Sequence, residues 1–130
     1  MVDNHNFDEV FRRLKSLLTP YANRLVVTSD QPANYYLDTP YLDKNNKRLF
    51  FGAVQVRKSY ISFYLMPVYM FPGLLEGVSA GLRKRMQGKS CFNFRSIDET
   101  AFAELAGLVK KGFQKLESEK VITSEDIVDI

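Results

Sequence analysis

The stretch that decides the fold is RLFFGAVQVRKSYISFYLMPVY, residues 48–69. From residue 60 to residue 66 its side chains alternate, with Ile61, Phe63 and Leu65 on one side. Successive side chains of a β-strand point to opposite faces of the sheet, so this apolar set is predicted to be buried. The run before it, residues 49–56, is rich in β-branched and aromatic side chains and is predicted to pair with it as a hairpin.

Three features refine this hairpin. Arg57-Lys58 at the turn lacks the Gly or Asn that a two-residue turn favours, so a longer or bulged connection is predicted. Gly52 in the first strand indicates a bulge or a close approach of another backbone. Pro67 has no amide donor, so strand pairing is expected to end there or to lie at an edge.

Composition bounds the class of protein. The chain has 130 residues, of which 45% are hydrophobic, and this suits one globular domain with its own core. The net charge of +3 is only mildly basic, which argues against a nucleic-acid binder. The single cysteine excludes an internal disulfide and fits a reducing compartment. No apolar run is long enough to span a membrane and no secretory signal is visible, so a cytoplasmic protein with no membrane partner is expected.

Upstream of the hairpin the pattern predicts one helix and two strands. Apolar residues recur at helical spacing over residues 7–18, and Asn6 is predicted to cap this helix. Short strands are predicted over residues 24–28 and 34–38, joined by a turn-rich link. Residues 39–47 are polar and contain a proline, so they are predicted to form a loop.

Downstream of the hairpin the pattern predicts helix, strand and helix. Ser79 is expected to cap a short helix that ends at Gly88. A strand is predicted over residues 90–95, where phenylalanines alternate with polar residues. Ser96, three residues before a glutamate, is predicted to open the last helix as a capping box, and the apolar stripe of that helix continues to Leu116.

These elements define an α+β fold: a single antiparallel sheet of about five strands with helices packed on one face. The strands are clustered and their links are short, which favours antiparallel pairing. One domain is expected over residues 1–117, followed by a charged tail over residues 118–130.

The sheet face opposite the helices is predicted to collect an unusual set of polar and aromatic side chains. The candidate binding residues on this face are Tyr36, Tyr60, Tyr64, Cys91, Asn93 and Arg95, and Ser62, Phe51 and Gln55 are placed on the same side. Tyr and Arg are enriched at interface hot spots, and an aromatic sheet can also stack single-stranded bases. The alternative is that tyrosines simply suit strands, and that a half-exposed face looks like this without binding anything.

The sequence assigns no catalytic or metal-binding residue. His5 has aspartates nearby, but a metal site needs three or four converging ligands. Cys91 could act as a nucleophile, and the flanking Lys89 and Arg95 could lower its pKa, yet no histidine is placed to help it. The basic run at residues 83–85 could meet phosphate or an acidic partner, or could be a solvated helix face.

Three segments together carry a resemblance to a known family: FGAV (51–54), YISFYLMPVY (60–69) and GKSCFNF (88–94). They resemble the bacterial YdhG-like family of unknown function, whose shape is similar to that of frataxin, and the likeness covers residues 25–116. The resemblance implies an antiparallel sheet with helices on one side. One member has been proposed to handle iron, but the first helix here offers only Asp8 and Glu9 before it turns basic, so no cofactor is assigned and iron enters only through the resemblance.

Three functions are therefore left open. The first is a small, cytoplasmic, non-enzymatic module that binds an unknown small molecule or protein on the open sheet face, with homodimerisation left open. The second is an iron-binding protein or iron chaperone of frataxin type. The third is a thiol-dependent enzyme or redox protein that uses Cys91.

Overall fold

The computed structural model describes residues 4–119, with side chains from residue 7 onward. The helices are, in chain order, α1 (Asn4–Lys15), α2 (Met66–Met70), α3 (Ala80–Arg83) and α4 (Glu99–Ser118). The strands are β1 (Val26–Gln31), β2 (Asn34–Leu42), β3 (Arg48–Val56), β4 (Ile61–Leu65), β5 (Met86–Gln87) and β6 (Cys91–Phe94). Segments of 3₁₀ helix cover Thr19–Arg24 and Pro72–Leu75. All but the first two residues of the expected tail lie outside the described part of the chain.

The six strands form one open sheet in the order β1-β2-β3-β4-β6-β5, and every neighbouring pair is antiparallel. The α+β class and the antiparallel sheet predicted from the sequence are confirmed for the described residues. The strand beyond the predicted five is β5, which is two residues long and pairs with β6 at the edge. None of the described helices is long and apolar enough to cross a membrane.

The helices pack against one face of this sheet and share a single core with it. Ile61, Phe63 and Leu65 are fully buried, as the alternation predicted. Across the core, the rings of Phe94 and Phe102 meet edge to face with centroids 5.1 Å apart, which joins β6 to α4. Burying one such side chain stabilises the fold by roughly 1.5–3 kcal/mol, so this face dominates the stability.

The hairpin of β3 and β4 has the longer connection that was predicted. Residues 57–60 link the strands, and the amide of Arg57 donates to the carbonyl of Tyr60 at 2.8 Å. Tyr60 therefore lies in the connection, not in the strand where the sequence had placed it. Pairing ends at Leu65 as expected, and Pro67 sits in the first turn of α2, where a missing amide costs no helical hydrogen bond.

A β-bulge in β3 changes which aromatic side chain faces the helices. Leu37 pairs with Gly52, but Asp38 pairs with Phe50, so Phe51 is an extra residue on β3. One inserted residue shifts the alternation of everything beyond it. Phe51 is therefore fully buried on the helix side, and its predicted place on the open face is wrong.

Several predicted boundaries are also wrong, each for a local reason. The helix α1 begins at Asn4, so Asn6 lies inside it and is not its cap. The strand β1 lies further along the chain than residues 24–28. The strand β2 runs on through Pro40 into the predicted loop, and this is tolerated because pairing with β3 is interrupted between Asp38 and Leu42.

The helix after Ser79 is shorter than predicted. The Ser79 hydroxyl accepts from the amide of Leu82, as a cap should, but α3 ends at Arg83. Gly88 has a φ of +77° and lies in the turn between β5 and β6, not at a helix end. Met86, which falls within the range predicted for this helix, is the first residue of β5.

The cap of α4 is Asp98, not Ser96. Its carboxylate accepts from the amide of Ala101 at 3.1 Å, and its other oxygen accepts from Arg85 at 3.0 Å. The hydrogen bond from the backbone amide of Ala101 is the main reason why the pKa of Asp98 is lowered. The capping-box pattern was present, but the chain enters the helix two residues later.

We expect Asp98→Ala to destabilise the fold by about 1 kcal/mol, because a helix cap and an ion pair are lost together, while Ser96→Ala should be neutral. A carboxyl whose pKa falls on folding stabilises the fold above its unfolded pKa, about 3.9, and this contribution is lost as the pH falls through the lower folded value. The difference between wild type and Asp98→Ala should therefore shrink below about pH 4. Urea unfolding at several pH values measures it, and a larger effect for Ser96→Ala would contradict the assignment.

A second substitution tests the closeness of β3 and β4. A Cβ added to Gly52 would lie 2.9 Å from the carbonyl oxygen of Tyr64 and 3.4 Å from Leu18, so Gly52→Ala should cost about 1–3 kcal/mol. The matched control is Gly107→Ala, on an exposed turn of α4 with nothing within 4 Å, which should stabilise by about 0.5–1 kcal/mol. Chemical denaturation should show a lower free energy of unfolding for Gly52→Ala and a higher one for Gly107→Ala. Equal changes in the two variants would show that Gly52 is not needed for the close approach of the strands.

Candidate binding face

The uncovered side of the sheet consists of two cross-strand rows, which we call the open face. The first row reads Tyr36, Ala53, Tyr64, Cys91 and Gln87 from β2 to β5. The second row reads Asn34, Gln55, Ser62 and Asn93 from β2 to β6. The register of the antiparallel strands brings these residues together, although they are far apart in the sequence.

The first row places a small residue between two tyrosines. Ala53 pairs with Tyr36 on one side and with Tyr64 on the other, and it is only 1% exposed. Both tyrosines are half-buried, and the ring of Tyr36 packs on that of Phe50 with centroids 4.7 Å apart. Phe50 reaches this side because of the bulge at Phe51. The result is an aromatic surface whose rings are held in place by their neighbours.

Asn93 of the second row is the centre of a hydrogen-bond network that joins the two rows. Ser62, 1% exposed, donates to the side-chain oxygen of Asn93 at 2.7 Å, and the thiol of Cys91 donates to the same oxygen at 3.3 Å. The amide group of Asn93 donates in turn to Gln87 at 2.8 Å. A buried hydroxyl without a partner would cost about 1–3 kcal/mol, so this network both stabilises Ser62 and fixes Asn93.

Arg57 extends over this face from the hairpin connection. Its Nη2 donates to the hydroxyl of Tyr64 and to Oε1 of Gln55, both at 2.6 Å. Its guanidinium carbon lies 5.8 Å from the centroid of the Tyr64 ring, within cation–π range. The sequence analysis did not include Arg57 in the site because it assigned this residue to the turn. Its position two residues after Gln55 could have indicated that both side chains point to the same face of the sheet.

The structure divides the predicted site into two parts. Tyr36, Tyr64, Cys91 and Asn93 lie on the open face as predicted. Tyr60 precedes β4 and Arg95 follows β6, so neither belongs to a strand. These two residues line a cavity at the end of the sheet together with residues 84–86 and Asn93.

Cys91 is not an activated thiol. Burial raises its pKa, and the hydrogen bonds with Ser62 and Tyr64 and the charge of Arg57 only partly oppose this. The expectation that Lys89 would lower this pKa is not met, since the ammonium group of Lys89 lies instead over the ring of Tyr69, 5.9 Å from its centroid. At neutral pH the thiol is therefore protonated and serves as a hydrogen-bond donor.

No group of three or more His, Cys, Asp or Glu side chains in residues 7–119 is placed to hold a metal ion. The side chain of His5, considered from the sequence as a ligand, lies outside the described side chains. Comparison of the chain with protein-family models, with curated proteins and with solved structures gave no match. We therefore infer function from the geometry of the described residues.

We expect the thiol of Cys91 to react slowly with iodoacetamide at pH 7 and faster as the pH rises, with a midpoint above that of an unfolded cysteine, about 8.5. The cause is the burial that raises its pKa. Labelling followed by mass spectrometry across the pH range measures the midpoint, with the urea-unfolded chain as the control. A midpoint below that of the unfolded chain would contradict this and would revive a thiol mechanism.

Proposed function

We propose that this protein is a small, non-enzymatic binding module that presents the open face to a protein partner. The observation that supports this most directly is the uncovered centre of the sheet, where Tyr36, Tyr64 and Arg57 are held in place by contacts with Phe50 and Gln55. Tyr and Arg are the residue types enriched at interface hot spots. Side chains that are already ordered lose less conformational entropy on binding.

The shape of the face favours a protein over a small molecule. Five surface cavities of the described residues, of about 210–680 Å³, include none of Tyr36, Ala53 or Tyr64 in their linings. Small-molecule sites are concave, whereas protein partners pack on broad, nearly flat surfaces. A second copy of this chain is one such partner, so a homodimer belongs to the same proposal.

We also propose a relationship to the YdhG-like family, a frataxin-like fold and a cytoplasmic location. The order of helices and strands and the antiparallel sheet support the first two. The iron and thiol alternatives receive no support from the described residues, because no ligand cluster is present among them and the pKa of Cys91 is raised.

The face should tolerate substitution without loss of the fold. We expect Tyr36→Thr combined with Tyr64→Thr to cost no more than about 2 kcal/mol, since cross-strand aromatic contacts contribute roughly 0.2–1 kcal/mol each. The matched control is Tyr35→Thr, on the neighbouring residue that points into the core and is 3% exposed, which should cost about 3 kcal/mol. Thermal and urea unfolding compare them; unfolding of the double variant would show that the face is core.

A photo-crosslinking amino acid tests the partner itself. Placed at Tyr64, it should trap one protein in the cell that encodes this chain, whereas the same group at the exposed Lys110 of α4 should not. The double tyrosine variant should then weaken the measured affinity for that partner by at least about tenfold. A face that traps nothing, or an affinity that the variant leaves unchanged, would overturn the proposal.

A further inference from the structure

The end of the sheet carries a cavity in which positive side chains from separate segments converge. It measures about 290 Å³ and is lined by Tyr60, Lys84, Arg85, Met86, Asn93 and Arg95. The three cations come from the segment between α3 and β5 and from the residue after β6. Three cations that line one cavity make the local potential positive, and this attracts an anion.

Arg85 is held in a fixed position at this cavity. Its Nη2 donates to Asp98 at 3.0 Å, and its guanidinium carbon lies 5.4 Å from the centroid of the Phe94 ring. Its carbonyl oxygen accepts from the amide of Asn93 at 2.8 Å, which ties its backbone to β6. A guanidinium has five N–H donors, and among the described residues this one bonds only to Asp98, so further donors remain for a ligand.

The other two cations are available. Neither Lys84 nor Arg95 makes an ion pair with any described carboxylate, and both are exposed. Of the three positive charges at the cavity, only that of Arg85 is paired, by Asp98. The cavity therefore holds an excess of positive charge beside one fixed guanidinium.

We propose that this cavity binds the phosphate group of a small phosphate monoester. A phosphate dianion offers three acceptor oxygens to two guanidinium groups and an ammonium group, whereas a carboxylate offers one charge and two oxygens. The volume is at the lower end of ligand sites, which suits a small molecule. Tyr60 and Met86 also line the cavity, and their apolar atoms are available to the organic part of the ligand. The site does not depend on the protein-binding role of the open face, from which it shares only Asn93.

Calorimetric titration of the whole chain at low ionic strength tests the site. The probes are inorganic phosphate and ribose 5-phosphate, with ribose and acetate as controls for the sugar and for a single negative charge. Both phosphates should bind, and ribose and acetate should bind at least about tenfold more weakly. Raising the salt concentration should weaken phosphate binding, because the cations are partly in solvent.

The variant Lys84→Ala with Arg95→Ala should lose at least about tenfold in phosphate affinity, since two charge-assisted contacts disappear. The matched control, Lys44→Ala with Lys110→Ala, removes the same charge from exposed positions elsewhere and should bind within about twofold of wild type. Neither variant removes a described ion pair, and circular dichroism checks that both fold. Arg85 is left in place because its contacts also serve the fold.

Two results would overturn the site. One is the absence of phosphate binding by the wild-type chain up to about 10 mM, which lies above the millimolar affinities of the weakest specific ligands. The other is equal loss of affinity in the pocket variant and the matched control, which would show a general charge effect. The Tyr36 and Tyr64 double variant should retain phosphate binding, so failure of the partner proposal and failure of this one are separately visible.

Discussion

The pairing of β3 with β4 is the contact on which the rest of the structure depends. Gly52 allows the two backbones and the side chain of Leu18, in the segment after α1, to approach closely. From Ile61 to Leu65 the strand turns every second side chain into the core. The helices have only one apolar surface to cover, so they pack on that side. The reverse side is left to residues that tolerate water, and the candidate binding face follows from this asymmetry.

The bulge at Phe51 then determines which aromatic rings belong to each side. It sends Phe51 beneath α4, where its ring meets that of Phe113 edge to face with centroids 5.9 Å apart, and turns Phe50 outward against Tyr36. Without the extra residue, Phe51 would lie on the open face and Phe50 would point toward the helices. A single irregularity in one strand therefore contributes both to the core and to the surface proposed for a partner.

The polar side chains of the open face are held in position by hydrogen bonds to one another across neighbouring strands. Asn93 accepts from Ser62 and Cys91 while it donates to Gln87, so residues of three strands fix one amide. The same residue borders the cavity of converging cations at the sheet end. The two proposed sites are thus neighbours, but they recognise different chemistry: one offers aromatic rings and amides, the other offers charge.

The sequence alone determined the class of fold, the hairpin and the buried side of β4, because alternation and helical spacing are local properties of the chain. It also placed Tyr36, Tyr64, Cys91 and Asn93 on one surface. Only the tertiary structure decided the bulge, the short β5, the position of Arg57 and the convergence of cations, because each depends on how separate strands and connections pair or pack against one another. Spacing within one strand does not by itself determine which residues of another strand lie opposite it.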